Sequence, residues 1–195
     1  MGAGTRDKLV QAAEAELIAG HGHLEMQAVA RRAGVSVGLA YHHFGSKAGL
    51  IAAVVEAFYA RLDEEVFGAP NWPATTWPER EKGRIAAYID FHYHHPFAPL
   101  VIGSLSRSPD VLDVERDFTN RTLAAGARML EAAQQGGEVP ADIDPELTIA
   151  LMSGGIRQAL LDALSREPRP DPTDLANAIW AFMAAALRLP AAPAA

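Results

Sequence analysis

The sequence predicts an all-α protein, a small N-terminal unit of three helices followed by a larger helical body. Three observations carry that expectation. Of the 195 residues, 49% are apolar, alanine dominates and β-branched runs are scarce, a composition that favours helices. Apolar residues recur at three- and four-residue spacing through most of the chain. Two Asp-Pro pairs, Asp144-Pro145 and Asp171-Pro172, have the form of a helix start, with an N-cap followed by proline in the first helical position.

Taken in order, residues 5–20 form a first helix with Leu9, Ala12, Ala13, Leu17 and Ile18 inward. A second, short helix carries Met26, Val29, Ala30 and Ala33 on one face. Glu25 is placed to favour its start through charge on the helix dipole. Gly34 sits where a left-handed residue would end it, and Val35 can fill the space beneath the turn. Ser36 is a good N-cap for a third helix. In that helix Leu39, Ala40, Phe44 and Tyr41 offer apolar surface, while Val37, Gly38 and His42 are left outward. Gly45 closes it, and Ser46 caps a long fourth helix over 47–67, whose broad apolar face includes Leu50, Val54, Phe58, Tyr59 and Leu62.

Residues 68–78 contain three prolines and no periodicity, so they read as a loop. Helical spacing resumes over 79–95 and breaks at Pro96 and Pro99. A short helix at 99–107 and a long one at 109–135, stopped by Gly136-Gly137, come next. The two Asp-Pro starts open helices to about Ser165 and Leu189. The expected domains are 1–46 as the head, 47–67 as a connecting helix, 68–189 as the body and 190–195 as a disordered tail. No internal repeat is visible.

Two short helices around a glycine turn, the second about two turns long, have the layout of a helix-turn-helix that sets one helix in the major groove of DNA. An ordinary helical hairpin accounts for the same spacing. The residues narrow the choice. Ala33-Gly34-Val35-Ser36-x-Gly38, continued by Tyr41-x-His43-Phe44-x-Ser46-Lys47-x-x-Leu50, resembles the signature of the TetR family of bacterial one-component transcriptional regulators. Thr5-Arg6, Leu9-Val10 and Ala12-Ala13 agree with it. One departure is visible: the second helix lacks the family's usual Ser or Thr cap, and the loop through Gly22 is about two residues shorter than usual.

The resemblance implies that Ser36, Tyr41, His43 and Lys47 hold DNA phosphates. It sets Val37, Gly38, Leu39 and His42 against base edges. No Arg–guanine or Asn–adenine pair is available on that surface, so thymine methyl contacts and DNA shape would carry much of the specificity. Arg31 and Arg32 either reach the DNA backbone or form a solvated helix face.

The net charge of −7 would argue against a DNA binder were it evenly spread. Residues 1–50 hold five basic and four acidic residues, a net of +1, which leaves 12 basic and 20 acidic residues and −8 for the rest. Four of the seven histidines also lie in that first segment. With few cations per head, useful affinity needs a dimer on two half-sites. The acidic body disfavours nonspecific adhesion to nucleic acid or anionic membrane.

The resemblance further implies a homodimer, a body that binds a small molecule, and release of DNA when it does so; repression is the family's usual mode. Candidate interface stripes are Ile149, Met152, Ile156 and Leu160 on one helix and Ile179, Trp180, Met183 and Leu187 on the next. Burial within one protomer explains the same pattern. Candidate effector contacts are the large semi-polar residues Phe58, Tyr59, Tyr88, Phe91, His92, His95, Phe118, Met129 and Met152. Together they suggest an apolar or aromatic effector oriented by His or Tyr. His92 and His95, three apart, have a spacing suited to metal. No carboxylate in ligand spacing accompanies them, and a helix-end histidine group accounts for them as well, so no metal and no cofactor are expected.

With no cysteine, disulfides and thiolate metal sites are excluded. A rival reading as a helical enzyme or metalloprotein using the same body pocket finds no paired-carboxylate motif, nucleophile elbow or phosphate-cradling loop; a structural adaptor is the third class. The start of the chain lacks a basic region followed by an apolar core, and no apolar run reaches membrane-spanning length. The cytoplasm is therefore the expected compartment.

Overall fold

The computed structural model describes residues 4–68, 76–105 and 109–189. These are helical, in the order α1 (Thr5–Ala19), α2 (Met26–Ala33), α3 (Val37–Phe44), α4 (Lys47–Leu62), α5 (Trp77–His94), α6 (Ala98–Ile102), α7 (Leu112–Gln135), α8 (Pro145–Ser165) and α9 (Pro172–Ala186). A π-helical turn over Asp63–Phe67 follows α4. Most of the loop expected at 68–78 and the tail expected at 190–195 lie outside the described residues, as does the end of the helix expected at 99–107.

Packing divides the chain into two compact units, Met1–Asp63 with His95–Phe118, and Glu64–His94 with Thr119–Ala195. Residues 95–118, read from sequence as part of the body, therefore pack with the N-terminal helices.

In the first unit α1 packs on α2 and α4, and α3 on α2 and α4. The core is Leu9, Ala13 and Leu17 of α1, Val29 and Ala30 of α2, Ala40 of α3, and Leu50, Val54 and Phe58 of α4. The turns are made by the residues their local chemistry nominates. Gly34 adopts φ 69°, ψ 33°, the left-handed conformation that ends helices at little cost only in glycine. The Val35 amide then donates to the Ala30 carbonyl at 3.0 Å. The Ser36 hydroxyl accepts from the Leu39 amide at 3.2 Å, and that of Ser46 from the Gly49 amide at 2.9 Å. A β-carbon at Gly49 would sit 2.2 Å from the Phe44 carbonyl oxygen, so only glycine lets α4 start so close to the end of α3. Glu25 does stand at the head of α2, in extended backbone with no side-chain cap.

In the second unit α5 packs on α9, and α8 on α9. The core is formed by Trp77, Ile85 and Ile89 of α5, Leu130 and Ala133 of α7, Met152 of α8, and Ile179 and Met183 of α9, with Val139 and Leu187. Both Asp-Pro starts are present. Asp144 accepts from the Leu147 amide at 3.0 Å, and Asp171 from Thr173 and Asp174 at 2.8 and 3.2 Å. Gln134 donates to the carbonyls of Pro140 and Ile143 at 2.9 and 2.8 Å, tying down the turn that Gly136-Gly137 opens.

α6 ends at Ile102, with Gly103 as its C-cap, short of the end expected at 107; the other boundaries differ from the expected ones by about one turn or less. α7 begins at Leu112 because residues 109–111 form a turn whose Val111 carbonyl receives the Glu115 amide. α9 ends at Ala186, with Leu187 turned into the core.

Candidate nucleic-acid interface and effector-side residues

α3 buries one side chain completely, Ala40, and Phe44 is half-buried at its end. The Arg6 guanidinium stands 5.5 Å from the Phe44 ring centroid, a cation–π contact across α1 and α3. The other face is open: Tyr41 is 45% and Leu39 36% exposed, and Gly38, His42, His43 and Lys47 are exposed as well. Three details depart from the sequence reading, the first being that Tyr41, expected among the apolar residues, is exposed. Leu39, expected among the inward apolar residues as well as at the base edges, stands outside, and Val37, expected outside, is half-buried. A two-turn helix anchored by one small residue cannot bury both of its apolar flanks.

Ser36 is exposed although its oxygen already accepts the Leu39 amide, which leaves its hydroxyl proton to donate outward. Lys47 occupies the first position of α4 beside Ser46. The rings of His42 and His43 lie 5.9 Å apart in an edge arrangement. Ser36, Tyr41, His43 and Lys47 are thus on one exposed stretch, 36–47, held by two side-chain caps and the Gly34 turn.

The two arginines of α2 differ. Arg32 Nε donates to Glu16 at 2.7 Å, a tie between α2 and α1 that a phosphate would have to displace. Arg31 is exposed and has no ion-pair partner among the described residues. Glu16 carried no local signal of this role, because the pair is 16 residues apart.

The residues expected to meet an effector fall into two groups. In the first unit Phe58, Tyr59, His95 and Phe118 come together. Tyr59 stacks on Phe118 with centroids 4.0 Å apart, and Phe58 meets the His95 ring edge-on at 5.0 Å. The Tyr59 hydroxyl donates to Glu115. His95 Nε2 lies 4.0 Å from a Glu14 carboxylate oxygen, and Glu14 accepts from Arg61 at 2.7 Å. Glu14, Arg61 and Glu115 were not singled out from sequence; they reach partners 47 or more residues away.

In the second unit Tyr88, Phe91 and His92 lie together near the end of α5. His92 is 1% exposed, its Nδ1 is 2.7 Å from the Tyr88 carbonyl, and its ring is 4.3 Å from that of Tyr88. Met152 belongs to the apolar core, and Met129 is half-buried. His92 and His95 do not share a helix face. α5 ends at His94 ahead of Pro96, and the two histidines belong to different units. Among the described residues no group of three or more His, Asp and Glu is placed to hold a metal ion, and no helix is long and apolar enough to cross a membrane.

α5 also carries a pair that sequence reading passed over, Glu81 and Arg84, joined by a hydrogen-bonded ion pair with both side chains largely buried. Burial raises the Glu81 carboxyl above the usual carboxylate range, and the Arg84 and Arg80 charges offset only part of that. The i, i+3 spacing of the pair was visible; its burial was not.

The stripes proposed for a protomer interface also divide. Met152, Leu160, Ile179, Met183 and Leu187 are buried within a single chain, and Ile149, Ile156 and Trp180 are partly covered by the same core. The apolar side chains left outside are Leu147 and Leu151 of α8, the latter 67% exposed, and Phe182 of α9, also 67% exposed. One helical stripe cannot serve the chain's own core and a second copy at once.

Residues 9–54 match the family model described as bacterial regulatory proteins, tetR family. No curated protein matches the chain. Solved structures with the same fold include the fatty acid degradation regulator FadR from Bacillus halodurans, with a TM-score of 0.81 at 18% identity over 97% of this chain and 100% of that one. SmeT, the repressor of the Stenotrophomonas maltophilia multidrug efflux pump SmeDEF, gives 0.77 at 19% identity over 94% and 90%. FadR from Bacillus subtilis, solved in complex with stearoyl-CoA, gives 0.75 at 17% identity over 91% and 96%.

Proposed function

Because the chain belongs to the tetR family through residues 9–54 and shares its fold over nearly the whole length, we propose that it is a ligand-responsive repressor. It binds a palindromic operator as a homodimer and lets go when a small apolar or aromatic effector occupies the body. The observation that carries this reading is the exposed stretch Ser36–Lys47, where Tyr41, His42 and His43 of α3 and Lys47 at the start of α4 stand open, each helix capped by a serine. Rigid donors on one face suit the fixed spacing of phosphates. Tyr41, His43, Lys47 and the Ser36 hydroxyl grip the backbone, and Arg31 adds a further cation. Leu39, His42, Gly38 and the accessible part of Val37 meet base edges.

In this reading the head is residues 1–46, the connecting helix 47–67, and the effector-binding and dimerisation body lies within 68–189, of which residues 95–118 pack with the N-terminal helices. Leu147, Leu151 and Phe182 supply the apolar surface for pairing with a second copy. The exposed glycines Gly154 and Gly155, whose Cβ positions have open space around them, let that copy approach closely. A solved structure with this fold holds stearoyl-CoA, which supports a small-molecule effector. Such a regulator does no chemistry on its ligand and works where the chromosome is, in the cytoplasm. The test is titration of a labelled promoter fragment from beside the protein's own gene, with a scrambled fragment as control. Specific, salt-sensitive binding by a dimer is expected; equal binding to both fragments overturns the reading.

A further inference from the structure

Trp77, Glu81, Arg84 and Tyr88 follow one another on α5 at spacings of four, three and four residues, which sets them on one face of the helix. Their hydrogen-bonding capacity is lopsided. Trp77 is 5% exposed, and its indole Nε1 is buried without a hydrogen-bond partner among the described residues. The Arg84 side chain is 17% exposed; one terminal nitrogen is paired with Glu81, yet its Nε is also buried without a partner among the described residues. An indole and a guanidinium can only donate. The stripe therefore holds two unanswered donors, and its one carboxylate, Glu81, is already engaged.

Buried polar groups left unpaired are rare and costly, and each calls for an explanation. Here both are of the same kind, both are donors, and one belongs to a cation. Burial also weakens the hold of Glu81 on its negative charge, so the Arg84 charge is incompletely answered. The missing partner is an acceptor carrying negative charge. A carboxylate fits the free Nε edge of a guanidinium as it fits the whole fork. One turn further along, the stripe becomes aromatic: Tyr88 lies 6.4 Å from Phe67 and 4.3 Å from His92, and Phe91 flanks His92 at 5.4 Å.

We propose that this face of α5 is the recognition site for an amphipathic organic acid, whose carboxylate accepts from Arg84 Nε–H and whose apolar body lies along Phe67, Tyr88 and Phe91. The proposal rests on the effector reading above and narrows it, from an apolar molecule to one with an acidic end. Glu81 competes with the ligand for Arg84, so binding loosens an ion pair within α5.

The experiment uses the full chain, labelled with 15N, and follows the arginine Nε–H signals. That of Arg84 is assigned by its loss in Arg84→Lys, a variant that keeps a cation beside Glu81. The probes are octanoate and phenylacetate, with octan-1-ol and 2-phenylethanol as matched neutral controls. The Arg84 signal is expected to move saturably with the acids at millimolar concentration or below and to stay still with the alcohols. In Glu81→Gln the octanoate affinity should rise about tenfold, as the competing carboxylate is gone. A still Arg84 signal with both acids, or equal movement with acids and alcohols, overturns the proposal. Promoter binding measured in parallel separates the two ideas. An acid that moves Arg84 but leaves DNA bound supports the site and counts against effector control. Release of DNA by either alcohol with Arg84 still supports effector control and overturns the site.

Discussion

Polar side chains stand in opposite surroundings along α3 and along α5. Around α3 the tyrosine, both histidines and the lysine at the start of α4 are exposed, and the one side chain wholly buried is alanine. Along α5 a carboxylate, a guanidinium and a histidine are held out of solvent. On the function proposed above, the difference follows from the size of what each face would meet. A polyanion many times larger than the helix supplies its own desolvation and asks only for donors at fixed spacing. A small molecule cannot cover much surface, so its site must be dry beforehand, with a few convergent polar groups.

The largest effect that would break this contrast lies in pairing. Replacing Leu151 and Phe182 together by Glu should give a monomer by sedimentation and weaken promoter binding by about a hundredfold or more, since the second half-site then binds without the benefit of linkage. A variant that stays dimeric would move the interface elsewhere. Next in size, Lys47→Ala should weaken binding to every DNA sequence by about tenfold and lower the salt slope by about one, read by fluorescence anisotropy at several salt concentrations. Smaller again, Ser36→Ala should cost about 1 kcal/mol of stability in urea melts through loss of the α3 cap. A change well below that would mean α3 is held by packing rather than by its cap.

The smallest effect concerns Glu81. Its carboxyl is raised in the folded state, so between its unfolded and folded pKa values the folded chain binds more protons. Stability from this group therefore falls as pH rises through that window, and the penalty is complete above it. Glu81→Gln removes the titration, so its stability relative to the parent should climb with pH across the carboxylate range. A difference that does not change with pH would mean the group is effectively solvated.

The head was legible because its signals are local. A serine three residues before the amide it caps, or a glycine at a left-handed turn, states its role within one turn of helix; Ser36, Ser46 and Gly34 did so. The partnerships that tie the first unit together are nonlocal. Glu14 with Arg61 and Tyr59 with Glu115 join residues 47 and 56 apart, and periodicity says nothing about such distances. Periodicity misled in one place: His92 and His95 have helical spacing, but Pro96 follows too closely for the helix to carry both. It was silent in another. The stripes on α8 and α9 were correctly apolar, yet spacing cannot say whether an apolar stripe faces its own core or a second copy, and the core took most of it.

The most direct measurement is a comparison of sequence preference across four substitutions on the exposed stretch, using a randomised set of promoter-derived fragments. Tyr41→Ala and Lys47→Ala should lower affinity for all fragments by similar factors, leaving their rank order intact. His42→Ala and Leu39→Ala should reorder the fragments while costing less in average affinity. Equal losses on every fragment from all four would contradict the assignment of this face to reading DNA.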